Sequence, residues 1–96
     1  MFKEDCLFCK IVAGTIPCNK VYEDDQILAF HDIAPAAPIH VLIIPKKHID
    51  SMNEVTAEDL PLISEIHRVA IDLAKQLGIA ESGYRLINNC GPDSGQ

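Results

Sequence analysis

Apolar residues follow two rhythms along the 96-residue chain. In the second half Leu60, Ile63, Ile66, Val69 or Ala70, Leu73 and Leu77 recur at helical spacing, which predicts a helix over 56–77. Thr56 stands at its N-cap, with Asp59 three residues on and Glu58 favoured by the helix dipole, and Gly78 occupies the C′ position. Pro61 removes an N–H early in this helix, so its first turn is expected to be bent or irregular. In the first half the apolar runs are short. Residues 6–13, ending at Gly14, suit a helix of one to two turns, and Thr15-Ile16-Pro17 makes the exit. Residues 21–23 and 27–32 are β-rich and separated by the polar break Asp24-Asp25-Gln26, which predicts a hairpin. A third strand over 41–44 lies between Pro38 and Pro45, and a fourth is expected over 84–89, followed by a loop rich in turn formers over 90–96.

Short helix, strands, long helix and strand, in that order, fit an α+β domain in which one long helix covers an antiparallel sheet. At 48% apolar residues the chain has enough for one core, and residues 1–96 are expected to form a single domain, small enough to be marginally stable without reinforcement. A formal charge of −6, with only eight Lys plus Arg, argues against nucleic-acid backbones and anionic membranes as partners. A small phosphate ligand is still compatible, because backbone N–H groups hold phosphate without net positive charge. The N-terminal Met1-Phe2-Lys3-Glu4-Asp5-Cys6 has two acids and no apolar core of a leader, and the apolar run over 41–44 is far too short to span a bilayer, so a cytoplasmic protein is expected. Four cysteines could then serve as metal ligands or free thiols rather than disulfides.

Two groups of residues could carry chemistry. Cys6 and Cys9 form a C-x-x-C pair for which His48 is the natural third zinc ligand; equally, both cysteines could be buried small hydrophobes, and a redox dithiol lacks a thioredoxin-like context. Asp32 ends a strand beside Phe30 and Ile33, with Phe8 and Leu42 as further apolar surface. An ionised carboxylate in that setting suits the two adjacent hydroxyls of a ribose, with a base against the apolar residues, although an aspartate there could simply open the Ile33-Ala34-Pro35 turn. His40 is either a satisfied polar group at the sheet end or part of a relay. Asn89 and the glycines at 91 and 95 suit an anion, or a plain loop. His31 and His67 are assigned no role.

The segment Phe-His-Asp-Ile-Ala-Pro-Ala-Ala-Pro-Ile-His-Val-Leu-Ile-Ile-Pro-Lys-Lys-His over 30–48 resembles the nucleotide-binding hairpin of the histidine triad (HIT) family. Asn89, Gly91, Gly95 and Gln96 resemble the lead-in to that family's His-x-His-x-His strand. The resemblance implies a HIT-like fold throughout, and a homodimer formed through the long helix and its adjoining strand. It implies a nucleoside pocket lined by Phe8, Phe30, Asp32, Ile33 and Leu42, with Asn89 and Gly95 facing the α-phosphate and the leaving group. It also implies that His40 supports a nucleophilic histidine, and that structural zinc is held by Cys6, Cys9, His48 and a further histidine beyond residue 96. The implied ligands are purine nucleoside monophosphates. The implied reaction, that of the phosphoramidase branch, releases amines or other groups from nucleoside 5′-monophosphates through a nucleotidyl-histidine intermediate. None of His31, His40, His48 and His67 has the spacing of the triad, so the chain is expected to be a C-terminally truncated domain that lacks the last strand and leaves its fourth strand with an open edge. The alternative is a non-catalytic, zinc-stabilised nucleotide-binding or interaction module.

Overall fold

Four consecutive apolar residues can bury both their faces only in the middle of a sheet, and the run beginning at Ile27 does so. In the computed structural model, which describes residues 7–14, 17–32 and 37–90, Ile27–His31 (β2) lies between Lys20–Glu23 (β1) and Val41–Pro45 (β3) in a three-stranded antiparallel sheet of order β1-β2-β3. Ile27, Leu28, Ala29 and Phe30 are all buried. Between β2 and β3 the register is unbroken from Ile27 opposite Pro45 to His31 opposite Val41, whereas β1 slips once between Lys20 and Tyr22. Pro45, expected as the limit of β3, is its last residue, where a missing N–H is tolerated on an outer strand.

Asp24 builds the β1–β2 turn. Its Oδ1 accepts from the N–H groups of Gln26 and Ile27, both at 2.8 Å, and its Oδ2 accepts from the Tyr22 hydroxyl at 2.7 Å. The side chain thus replaces backbone partners that a tight turn leaves open. Lys46 then ties β3 to the same end: its N–H donates to the Gln26 carbonyl, and its ammonium lies 2.9 Å from Glu23, which also pairs with Lys20. Hydrogen bonds from Lys46 first and Lys20 second hold the Glu23 carboxyl below its ordinary value. A depressed carboxylate favours the folded state above its ordinary value and loses that contribution as pH falls through the depressed one.

The chain divides into two compact units, Met1–His48 and Ile49–Gln96. In the first, Leu7–Val12 (α1) contributes Ile11 to a core with Leu28, Phe30 and Ile44, flanked by Val12, Cys18 and Leu42. Burying a side chain such as Leu28 completely is worth about 1.5–3 kcal/mol. In the second unit the long helix opens irregularly, as Pro61 leads one to expect. A 3-10 turn, Ala57–Asp59, precedes the α-helix Leu60–Gln76 (α2), and the buried Asp59 carboxylate accepts from the Thr56 N–H and hydroxyl at 3.1 and 3.2 Å. The buried stripe of α2 is Val69, Ala70, Leu73 and Ala74, and Glu65, Arg68 and Asp72 are linked by ion pairs on its exposed side.

The fourth strand is not formed: residues 84–89 have no regular secondary structure. Tyr84, Leu86 and Ile87 are exposed, Ile87 by 68%. Strand propensity expresses packing on a neighbouring strand, and these residues have no ladder partner among the described ones. The α+β class, the antiparallel sheet, the long helix and the short N-terminal helix stand as the pattern predicts. Among the described residues no helix is long and apolar enough to cross a membrane.

α2 stops in a Schellman arrangement. The Ile79 N–H donates to the Ala74 carbonyl at 3.0 Å and the Gly78 N–H to that of Lys75 at 3.2 Å, with Gly78 at φ +76°. A Cβ at Gly78 would touch nothing within 4 Å, so a substitution there meets only backbone strain. Gly78→Ala is therefore expected to destabilise the protein by about 1 kcal/mol in urea unfolding, the αL penalty less the entropy gained from a stiffer unfolded chain. Unchanged or raised stability would contradict this reading of the helix end.

Candidate functional site

The β2–β3 ladder sets out the first cluster of polar groups. Phe30 faces Leu42 and His31 faces Val41, and one rung further Asp32 reaches His40, its N–H donating to the His40 carbonyl at 2.9 Å. Side chains alternate along a strand, so Leu28, Phe30 and Asp32 share a face with Ile44, Leu42 and His40. That face is the one covered by Ile11, and it ends in a polar pair. His40 Nε2 lies 3.5 Å from Asp32 Oδ2, with the two side chains about a third and a fifth exposed. This is electrostatic contact, long for a direct hydrogen bond.

The apolar residues named with Asp32 divide. Phe30 is only 4% exposed and belongs to the core, with Leu42 half-buried against it, whereas Phe8 on α1 is 38% exposed. Ile33 lies outside the described residues. Asn89 is exposed in the second unit, and Gly91, Gly95 and Gln96 lie outside the described residues. His31, on the face opposite Phe30, is half-buried; His67 Nδ1 donates to the Ile63 carbonyl at 3.0 Å within α2.

Cys9 and His48 form the second cluster. α1 carries the buried Cys9, and the chain leaving β3 brings His48 Nδ1 to 3.1 Å from its Sγ. Two ligands of one tetrahedral zinc, a thiolate at about 2.3 Å and an imidazole nitrogen at about 2.0 Å, would stand about 3.5 Å apart. The observed spacing is close to that, and sulfur and nitrogen are donors that zinc prefers. Cys6 lies outside the described residues, and among the described residues no three His, Cys, Asp or Glu side chains gather as a metal site requires.

The convergence of Cys9 and His48 agrees with what the family resemblance implies, whereas the C-x-x-C pair alone was a weak signal for it. The pairing of Asp32 with His40 was not anticipated, although the chain carried a signal for it: Asp32 lies two residues after Phe30 and His40 two before Leu42. Once those two strands pair, equal offsets make the polar residues neighbours.

The family model described as scavenger mRNA decapping enzyme C-term binding matches residues 5–96. The purine nucleoside phosphoramidase of Escherichia coli K12 is 46% identical over 93 residues, spanning 97% of this chain and 78% of that protein. The chain belongs to the histidine triad (HIT) family. An uncharacterized HIT-like protein of Synechococcus elongatus is likewise 46% identical, over 97% of this chain and 81% of its own length. Among solved structures, a histidine triad protein from Clostridium difficile superimposes with a TM-score of 0.95 at 50% identity, covering all of this chain and 84% of that one. A HIT family hydrolase from Clostridium thermocellum gives 0.94 at 49% identity, covering 98% and 82%. At these identities the HIT fold and membership of the family follow together.

Proposed function

We propose that the protein binds a purine nucleoside monophosphate through Asp32 and belongs to a HIT hydrolase of nucleoside 5′-phosphoramidates and related nucleotide derivatives. The observation that carries this reading is the Asp32–His40 pair at the polar end of the β2–β3 core face, in a chain 46% identical to a purine nucleoside phosphoramidase. An ionised carboxylate is an acceptor only, so it takes both hydroxyls of a ribose at once in charge-assisted bonds. Asp32→Ala is expected to weaken AMP binding by about 1.5–3 kcal/mol in calorimetry. Urea unfolding of the same variant should stay within about 1 kcal/mol of wild type, because a part-exposed electrostatic contact contributes little to stability. Equal AMP affinity in both proteins would move the ribose elsewhere.

Hydrolysis in this reading splits into two displacements. A histidine attacks the α-phosphorus and expels the leaving group, and water then frees the nucleotide from the histidine. None of the four histidines of the sequence stands in the alternating triad pattern, and His40 takes a supporting part only. A carboxylate pocket can hold a nucleotide without attacking it. The 96 residues alone are thus expected to release no AMP from adenosine 5′-phosphoramidate, and the same chain extended by a His-x-His-x-His strand is expected to do so. Metal-independent turnover by the 96 residues would make one of the present histidines the nucleophile.

Zinc fits the second cluster on the chemistry of its donors. Cys6, Cys9 and His48 would hold it, and its part is structural: it would fasten α1 to the chain beyond β3 and contribute directly to folding. Protein purified without chelator should carry close to one equivalent of zinc, and EDTA should lower its melting temperature. Less than about a tenth of an equivalent, roughly what an empty site gives, would remove the metal from the account.

A further inference from the structure

The slip in β1 decides which of its residues stands beside Asp32. Counted without a break from Glu23 opposite Leu28 and Tyr22 opposite Ala29, the ladder would place Asn19 on the rung of Asp32. The extra residue, Val21, shifts every earlier position by one: Lys20 stands opposite Phe30, and the His31 N–H donates to the Asn19 carbonyl at 3.0 Å. The next positions along the two chains are Cys18 and Asp32. β2 stays extended through this point, since successive N–H groups turn to opposite neighbours, that of His31 to Asn19 and that of Asp32 to His40. Side chains alternate, so Cys18 shares the face of Lys20, Phe30 and Asp32, and Asn19 that of His31. Burial agrees with this assignment: Cys18 is half-buried and packs against the core that holds Phe30, whereas Asn19 is exposed.

We infer that Cys18 is a contact residue of the ribose site, forming its wall on the β1 side and bounding the space open to the sugar. The inference rests on the reading of Asp32 as the ribose acceptor and adds a residue to that site. Directly opposite side chains on one face of an antiparallel pair have Cβ atoms about 4.5–5.5 Å apart, so a group held by Asp32 meets whatever stands at position 18. A thiol suits that place. It is small, and as a weak donor and acceptor it leaves the carboxylate to the two hydroxyls. The asparagine that an unbroken ladder would bring there carries two strong N–H donors, which would compete with the sugar for the same oxygens. The slip in β1 thus keeps an amide off the carboxylate, and a nucleotide in the site and a bulky group on the Cys18 sulfur exclude each other.

Alkylation of the 96-residue chain by iodoacetamide, read at Cys18 by peptide mass analysis, and calorimetry with AMP test this. AMP at about ten times its Kd should slow labelling of Cys18 on the order of tenfold, as exclusion of the reagent by an occupied site requires. Moving the thiol to the other face, with Cys18→Ala and Asn19→Cys together, should abolish the protection. Cys18→Leu should weaken AMP binding by on the order of tenfold, and Asn19→Leu by less than about twofold, since only the first fills the space beside Asp32. Equal labelling of Cys18 with and without bound AMP overturns the inference and leaves the ribose site standing, as does equal protection of a thiol at position 19. If Cys18→Leu does not fold, the labelling of the wild-type chain decides alone. Failure of wild type to bind AMP overturns the ribose site and, with it, the role of Cys18.

Discussion

The register between β2 and β3 is the constraint on which the site depends. Five residue pairs, Ile27–Pro45 to His31–Val41, hold it, and a slip of one residue would turn every side chain of β3 to the other face. Slippage is opposed by burial, since Leu28 and Phe30 must meet Ile11 and Ile44 in the core. The Asp24 turn and the Lys46 N–H on Gln26 pin one end of the ladder, and the Asp32 N–H on His40 pins the other. Hydrophobic packing is thereby converted into the placement of two polar groups. The energy that fixes Asp32 beside His40 comes mostly from the apolar packing of the strands that carry them.

The same arrangement explains how so short a unit keeps a second polar contact. α1 is only six residues long, below the length at which helices persist alone in water, and it stands because Ile11 is buried on the sheet. Cys9, two residues earlier on that helix, is brought to His48 by the chain leaving β3. The contact therefore closes a loop from the start of the unit to its end, and any group that strengthened it would stabilise the packing of α1. In the second unit reinforcement is local: Asp59 satisfies the Thr56 N–H before α2 begins, and Gly78 allows the reverse hydrogen bonds that end it.

What could be read from the sequence was whatever local periodicity and end chemistry determine. The long helix, its C′ glycine, the irregular entry at Pro61 and the first hairpin all depend on residues a few positions apart and formed near the expected positions, whereas of the expected apolar stripe only Val69, Ala70 and Leu73 are buried and Leu60 is exposed. The strand over 84–89 did not form, because a β-rich run declares a preference and not a partner. For the site, residue types alone left Asp32 divided between turn former and ribose acceptor and His40 between sheet end and relay. The family resemblance over 30–48 supplied the functional sense of both. Their proximity is a matter of register: eight residues apart along the chain, they face each other across one rung, and their equal offsets from Phe30 and Leu42 tell of it only once those two residues are known to pair.

A crystal structure of the protein with AMP tests the central claim most directly. The account predicts both ribose hydroxyl oxygens within about 2.5–2.7 Å of the Asp32 carboxylate, as O–H donors to an ionised acceptor stand, with His40 Nε2 on Oδ2 of the same group. AMP bound with its ribose away from Asp32, or a carboxylate turned from the sugar, would contradict it.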